Sequence, residues 1–380
     1  MAKGVKGTAG IQCSQPGCMN PPAESPTNPG TFRTMCNPCA TTRQRELRDQ
    51  RRAEKGLPPV PRVGTNAAAL FTAQQPPSPL PPIDELIQRR VETGRRTIKS
   101  FTASRYLAVD VHTDGPFGVL FAGDPHMDDD GCDFELLKSH SELVMATDGL
   151  FACSVGDLAN NWVGRLARLY GNQSTTAREA WALVEWWLNF LGPKLLAISA
   201  GNHDCWARNV HGLDPVDWVT RQHGTVYQTN GARLGLTTPS GEVFTVNMRH
   251  DFSGRSQFNA AHGPTRAAIF GFKDDLLISG HTHSTGLNVV KDPATGRVCY
   301  CVRLGSYKTV DEYAIERGFP DGNISECALV IFDPYATDPR HRVLLDFDPY
   351  RGAKVLTMMR AEWAAKQSPP SAKAKRRRAA

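Results

Sequence analysis

The sequence has no apolar run of the roughly 18 to 20 residues that spans a bilayer, and its first residues lack the apolar core of a signal peptide. Its ten cysteines are few for a secreted disulfide framework of 380 residues. These absences predict a cytoplasmic protein with reduced thiols and no membrane partner. The composition, 40% hydrophobic and 22% charged, is typical of a globular chain and excludes a fibrous or wholly disordered one.

The formal net charge of +6 is unevenly distributed along the chain. Residues 1–100 carry +8 and residues 366–380 carry +6, which leaves −8 for the middle. Basic ends favour contact with a polyanion, and an acidic middle favours cation binding. A purely solubilising role for the basic ends is the alternative.

Composition divides the chain into four segments. Residues 1–57 hold four cysteines followed by a basic helix, predicted over Thr42–Lys55. Residues 58–82 contain eight prolines and predict a semi-rigid linker. Residues 83–365 alternate short β-rich runs with amphipathic helices, which predicts an α/β domain with a strand-dominated second half. Residues 366–380 predict a basic disordered tail.

Strands and helices can be placed within the α/β segment. Strands are predicted at 117–123, 150–156 and 194–200, and helices at 134–145 and 177–191. The later strands are predicted as hairpins, at 242–249, 275–279, 297–303, 328–332 and 342–347. Trp186 and Trp187 have the periodicity of core residues in the second helix.

Five polar clusters follow predicted strands. They are Gly123–His126, Gly156–Asn161, Gly201–Asp204, Arg249–Asp251 and Gly280–His283. Four begin with a glycine, which permits a sharp turn at the end of a strand. Open α/β sheets place their sites at one such edge, so we expect the clusters to converge. Their Asp, Asn and His side chains suit Mn, Fe or Zn better than Ca or Mg.

In this order the clusters resemble the motifs of the calcineurin-like metallophosphoesterases: Asp-x-His, Gly-Asp-x-x-Asp, Gly-Asn-His-Asp/Glu, a lone His and Gly-His-x-His. The resemblance covers about Phe117 to His283, and its last motif is the most specific. It implies a four-layer αββα sandwich with two divalent metal ions at a sheet edge, with manganese expected and iron or zinc as alternatives. It implies Asp124, His126 and His283 as ligands of one ion, Asn202, His250 and His281 as ligands of the other, and Asp157 as the bridge.

The resemblance also implies a general acid. Two such ions hold a phosphoryl group and activate water, while His203 would protonate the leaving group. Phosphoprotein phosphatases orient this histidine with an Asp, where this chain has Asn160. The amide of Asn160 is expected to accept a hydrogen bond from His203. The substitution argues against the phosphoprotein phosphatase branch and favours a nuclease-like or a phage or bacterial branch.

Two of these assignments have competitors. Asp110-Val-His112 is a second Asp-x-His, but Asp124 follows the cleaner strand. His262 competes with His250 for the role of the lone histidine.

With His250 as the ligand, Arg255, His262 and Arg266 become candidates for contacts with substrate phosphate, or are ordinary surface residues. The acidic run Asp128–Asp130 predicts a solvated loop, with an extension of the metal site as the alternative. Trp206 is interpreted as packing, with stacking on a base or covering the metals as the alternatives.

The four N-terminal cysteines have a spacing close to that of a zinc ribbon. Cys13 and Cys18 form C-x4-C, and Cys36 and Cys39 form C-x2-C. So small a segment needs a cross-link or a bound metal ion to fold, which favours one structural zinc over four unused thiols. The basic helix and tail would then suit the backbone of a nucleic acid.

The sequence therefore predicts a metal-dependent phosphoester hydrolase, with DNA or RNA as the candidate substrate. A small-molecule phosphodiesterase or phosphomonoesterase is the alternative within enzymes. An inactive nucleic-acid-binding protein is the alternative of another class, disfavoured because no ligand position is lost. The sequence does not identify a protein partner.

Overall fold

The structure is a computed structural model that describes residues 5–6, 13–20, 31–32, 35–59, 80–103, 106–229, 231–310, 318 and 324–367. The chain forms two compact units, Met1–Pro82 and Ile83–Ala380. Most of the predicted linker and tail lies outside the described residues. No helix in the described part of the chain combines the length and the apolar character needed to cross a membrane.

The first unit contains a small sheet and one helix. Strand β1 (Val5–Lys6) pairs antiparallel with β2 (Thr31–Phe32), and α1 spans Asn37–Ala53. The helix begins directly after Cys36, earlier than the basic stretch predicted, because a proline in its first turn needs no backbone donor there. No residue of α1 is buried, so its basic side chains face solvent.

The second unit alternates helices and strands. They are α2 (Ile83–Ala103), β3 (Leu107–Asp110), β4 (Phe117–Ala122), α3 (Phe134–Ala146), β5 (Leu150–Ser154), α4 (Ala177–Leu191), β6 (Leu195–Ser199), α5 (Asn202–His211), α6 (Pro215–His223), β7 (Val226–Gln228), β8 (Ala232–Thr237), β9 (Val243–Met248), α7 (His262–Phe270), β10 (Leu276–Ser279), β11 (Gly286–Lys291), β12 (Val298–Arg303), β13 (Cys327–Phe332), β14 (Val343–Asp346) and α8 (Pro349–Gln367).

The strands form two six-stranded sheets. One has the order β14-β13-β4-β5-β6-β7, in which β4 to β7 are parallel. The other has the order β11-β12-β10-β9-β8-β3. The prediction of hairpins is wrong for β10, which lies parallel to both β9 and β12. Helix α7 connects β9 to β10, and every residue of β10 is buried, as expected of a parallel strand covered on both faces.

The two sheets pack face to face, with helices on both outer faces. Phe117 and Phe332 of one sheet contact Phe244 of the other, with ring centroids 6.1 and 5.1 Å from the Phe244 centroid. Helices α3, α4, α6 and α8 cover the outer face of the first sheet. Helix α7 covers the outer face of the second sheet. This is the four-layer αββα sandwich that the resemblance implied.

Helix α4 has a well-defined start and buries one face against the sheet. The helix begins at a capping box. The Thr176 side chain accepts from the Glu179 backbone N–H, and the Glu179 side chain accepts from the Thr176 backbone N–H. Trp187 is 1% exposed and its indole N–H donates to the Ser141 hydroxyl. Trp186 instead is partly exposed and stacks on Phe190.

Candidate metal centre

The five polar clusters meet at one edge of the sandwich, and one group of donors surrounds His250. Its Nε2 lies 3.0 Å from Asn202 Oδ1, 3.0 Å from His281 Nδ1 and 3.1 Å from Asp157 Oδ2. These residues follow β6, β10 and β5, while His250 follows β9. Side chains that follow three other strands are therefore brought within hydrogen-bond distance of His250.

A second group of donors lies beside the first. The donor atoms of Asp124, His126 and His283 are within 4.8 Å of one another, and His283 Nε2 is 3.4 Å from Asp124 Oδ2. Asp157 Oδ2 is 3.9 Å from His126 Nε2. Since the same oxygen also approaches His250, Asp157 is the residue that the two groups share.

The donors fit divalent ions. Asp124 is fully buried, and its Oδ1 has no hydrogen-bond partner within the described residues. Two ligands at right angles, each about 2.1 Å from one ion, are separated by about 3.0 Å, which matches the spacing around His250 Nε2. Imidazole, carboxylate and amide donors are the set that suits Mn, Fe or Zn.

Backbone strain is concentrated at the same edge. The described chain has five non-glycine residues with positive φ, all in the clusters: His126 (42°), Asp157 (51°), Asn161 (46°), His281 (75°) and His283 (49°). Such conformations cost about 1–3 kcal/mol each and persist where the surroundings impose them, typically at functional sites. The edge is thus marked as functional independently of its donor chemistry.

Two glycines allow the turns to approach one another. A Cβ on Gly280 would lie 2.3 Å from Asp124 Oδ1. Gly156 has φ of +102°, and a Cβ there would lie 2.1 Å from the backbone nitrogen of Gly201. No other residue type fits either position without moving a neighbouring cluster.

Two six-stranded sheets with these clusters at one edge decide the fold. The chain has the four-layer αββα fold that its resemblance to the calcineurin-like metallophosphoesterases implied. No protein-family profile and no curated protein matches the sequence.

Several solved structures are similar to the chain. The calcineurin-like phosphoesterase YfkN from Bacillus subtilis is 13% identical over 65% of this chain and 99% of its own, with a TM-score of 0.31. Pseudomonas putida nuclease MPE is 15% identical over 60% and 87%, with a TM-score of 0.28. Zinc-complexed Vps29 from Entamoeba histolytica is 14% identical over 60% and 97%, with a TM-score of 0.27.

Burial and charge set the protonation of the side chains at this edge of the sandwich. Burial alone would lower the pKa of His250, but Asp157 and Asp124 raise it to about 10. Burial alone would raise the pKa of Asp157, but His250 holds it well below its usual value. Burial lowers the pKa of His126, which therefore presents a neutral imidazole. A divalent ion would satisfy the carboxylates that otherwise hold a proton on His250.

His203 is held differently from the expectation. Its Nδ1 lies 2.6 Å from the main-chain oxygen of Asn160, which accepts the hydrogen bond that we expected the amide to accept. The Asn160 amide donates instead to Asp129 Oδ2 at 2.8 Å and to Gln173 Oε1 at 3.2 Å. With Nδ1 donating to a carbonyl, Nε2 faces the site, 3.9 Å from Asp157 Oδ2.

Two tryptophans flank His203. The ring of Trp206 lies 4.0 Å from the imidazole centroid, and that of Trp162 lies 5.3 Å from it. The indole N–H of Trp162 donates to Gln173 at 2.9 Å. Trp206 therefore packs on the histidine proposed as the acid, and Trp162, which the sequence reasoning did not select, shares that contact.

Asp204 is a positioning residue that the sequence analysis quoted only as part of a motif. It is 2% exposed, and its carboxylate accepts from the backbone N–H groups of Asp157, Leu158 and Gly201 at 2.8, 3.0 and 2.8 Å. It thereby joins the turn after β5 to the turn after β6. Its place after Gly-Asn-His was the signal that could have revealed this role.

Arg303 is a second positioning residue, and its sequence context gave no signal. It is 1% exposed; its guanidinium donates to the Gly280 carbonyl at 2.8 Å and to Asp251 Oδ1 at 2.9 Å. These bonds hold the turn before His281 against the turn after His250.

We expect Asp204→Asn to destabilise the fold by about 1–3 kcal/mol, because an amide nitrogen cannot accept from a buried backbone N–H. Metal affinity should fall as well, since the Asp157 turn loses its support. Denaturant unfolding and metal titration measure the two effects. Asp114→Asn, at an exposed position, is the matched control; equal behaviour of the two variants would show that Asp204 does not hold the turn.

The remaining sequence candidates are not members of either donor group. Asp110 and His112 are exposed and belong to neither group. Arg255 forms an ion pair with Asp251 at 3.0 Å. His262 begins α7, and the Arg266 guanidinium lies over the Phe270 ring.

The prediction of a solvated loop at Asp128–Asp130 is wrong for its first two residues. Asp128 is 1% exposed and accepts from the Asn160 backbone at 2.7 Å. Asp129 pairs with Lys308 at 3.0 Å. Asn160 donates to both Asp128 and Asp129, so these two carboxylates are acceptors within the fold, whereas Asp130 is exposed.

Proposed function

We propose that the chain is a two-metal phosphoester hydrolase that acts on DNA or RNA, with manganese as the preferred ion and iron or zinc as alternatives. One observation carries the proposal: two groups of donors meet at one sheet edge and share Asp157. The ligands are proposed to be Asp124, His126, Asp157, Asn202, His250, His281 and His283.

The chemistry divides between the ions and the chain. When bound, two divalent ions hold a phosphoryl group, stabilise its charge and lower the pKa of water. Asp157 would bind both ions, and the buried Asp124 would bind one of them. His203 is oriented by the Asn160 carbonyl so that Nε2 can give a proton to the leaving oxygen. Arg255, His262 and Arg266 are proposed to contact phosphates that flank the reacting one.

The first unit is proposed to bind zinc. The donor sulfurs of all four N-terminal cysteines lie within 4.8 Å of one another, and Cys18 Sγ is 3.7 Å from Cys36 Sγ. Tetrahedral ligation with Zn–S of about 2.3 Å places sulfurs about 3.8 Å apart. Backbone hydrogen bonds from Gln15 and Cys36 lower the pKa of Cys13 to about 7, which favours a thiolate ligand.

Nucleic acid is favoured as substrate because α1 follows this cluster as an exposed basic helix. We expect replacement of its exposed arginines by glutamine to weaken binding of single-stranded DNA and to flatten its salt dependence, by about 0.7 in the log–log slope for each phosphate that the helix no longer neutralises. Turnover of a small aryl phosphodiester should not change, because the arginines lie in the other unit. The residues to replace are Arg43, Arg45, Arg48 and Arg51.

The control removes four exposed cations of the second unit. They are Lys138, Arg178, Arg221 and Arg340. Binding is measured against salt concentration for both variants in the full chain. Equal slopes would show that α1 does not bind nucleic acid and would favour the small-molecule phosphoesterase. Loss of aryl phosphodiester turnover in the α1 variant would show that the arginines act on the catalytic edge instead.

A further inference from the structure

A second cluster of metal-ligating side chains lies inside the αββα domain. It consists of His140 on α3, Glu326 and Cys327 at the start of β13, and Tyr307, and we name it the His140 cluster. His140 is 2% exposed, and Cys327 and Tyr307 are fully buried. None of these residues belongs to the donor groups described above.

The distances within the cluster suit a single ion. His140 Nδ1 lies 3.5 Å from Glu326 Oε1 and 3.7 Å from Cys327 Sγ, and the sulfur lies 3.9 Å from the same oxygen. A point equidistant from these three atoms lies about 2.1 Å from each, within the range of about 2.0–2.3 Å for zinc bonded to nitrogen, oxygen or sulfur. Tyr307 Oη lies 3.1 Å from His140 Nδ1 and so adjoins this group of ligand atoms.

The charges of the cluster also favour a cation. Within the described part of the chain, the ion pairs place no lysine or arginine against Glu326. The Glu326 side chain is 16% exposed, and a carboxylate so largely shielded from water is costly without a cationic partner, a cost that a bound metal ion removes.

We propose that His140, Glu326 and Cys327 bind a zinc ion, with the Tyr307 hydroxyl beside it. One thiolate, one imidazole and one carboxylate form a ligand set that zinc accepts. The ion would stabilise the turn that contains Gly123 and Asp124, because two backbone hydrogen bonds join the His140 cluster to that turn. The Tyr307 backbone N–H donates to the Asp124 carbonyl at 3.2 Å, and the Gly123 N–H donates to the Glu326 carbonyl at 2.8 Å.

Elemental analysis of the full-length protein tests the proposal. We expect Cys327→Ser and His140→Gln each to lower the zinc content by one equivalent per chain relative to Cys153→Ser. Cys153 is the matched control, because it is a buried cysteine of β5 outside every cluster of possible ligands. Zinc bound at other sites contributes equally to every variant, so the difference in zinc content reports on the His140 cluster alone. The result does not depend on the proposed activity. Equal zinc content in the three proteins would overturn the proposal.

Cobalt gives a second readout that does not depend on how well each variant retains zinc. In full-length protein with serine at all four N-terminal cysteine positions, Co²⁺ should still give a thiolate-to-cobalt charge-transfer band. That band should disappear when Cys327→Ser is added and persist when Cys153→Ser is added. Absence of the band before either change would show that the His140 cluster is a hydrogen-bonded network only.

Discussion

We expect Asp157→Asn to lose the metal ions from both donor groups. Turnover should fall by more than the roughly 10- to 100-fold loss that follows removal of a residue that only hydrogen-bonds to a metal ligand. The reason is its position: Oδ2 lies 3.1 Å from His250 Nε2 and 3.9 Å from His126 Nε2, so one carboxylate serves both groups of donors. An amide carries less negative charge and presents N–H groups where a cation needs an oxygen. Elemental analysis and hydrolysis of an aryl phosphodiester measure the two losses.

The control for this variant is Asp148→Asn, at an exposed carboxylate that pairs with Arg360. It should keep the metal content and turnover of the wild type. An Asp157→Asn protein that retains both ions and near wild-type turnover would show that Asp157 does not bridge.

His203→Asn should separate proton transfer from metal binding. We expect both ions to remain, because the seven proposed ligands are intact, and turnover to fall by about 10²- to 10⁴-fold, the usual contribution of a general acid. The loss should be smaller for a nitrophenyl ester than for an alkyl ester, since a nitrophenolate leaves without a proton. Steady-state rates on the two esters measure the difference.

A matched variant tests whether His203 acts only by packing against Trp206. Trp206→Phe preserves an aromatic contact with His203 and should reduce turnover much less. Equal losses on the two esters in His203→Asn would contradict a role as general acid, and loss of metal would make His203 a ligand instead.

The sequence predicted those parts of the fold that local signals encode. Helix α4 was predicted with the observed ends, because its capping box and its apolar periodicity agree. Strands β4, β5 and β6 were predicted to within two residues, because turns follow them directly. Helix α2 was missed although Ile87 and Val91 have helical spacing, since both remain exposed and no core pattern marked the segment.

Features that depend on tertiary contact could not be predicted. The strand partners of β10 depend on the crossover through α7, and sequence alternation alone does not distinguish that from a hairpin. The Asn160 amide donates to Asp129 because the chain folds Gln173 and Asp129 against it, so its carbonyl is what reaches His203.

The His140 cluster shows the same limit over a longer span. His140 and Cys327 are 187 residues apart in the chain and meet only because α3 covers the sheet that contains β13. The edge clusters were predictable because glycine turns marked them, whereas no turn or spacing marks His140.

The most direct test of the central claim is a metal titration of the wild-type protein followed by phosphodiester hydrolysis. After chelation, the protein should not hydrolyse an aryl phosphodiester, and added Mn²⁺ should restore turnover until two ions per chain are bound at the edge. Asp157→Asn, titrated in parallel, should not recover. Hydrolysis that survives chelation, or an edge that binds Mn²⁺ without any turnover of aryl phosphodiester or DNA, would contradict a two-metal phosphoester hydrolase.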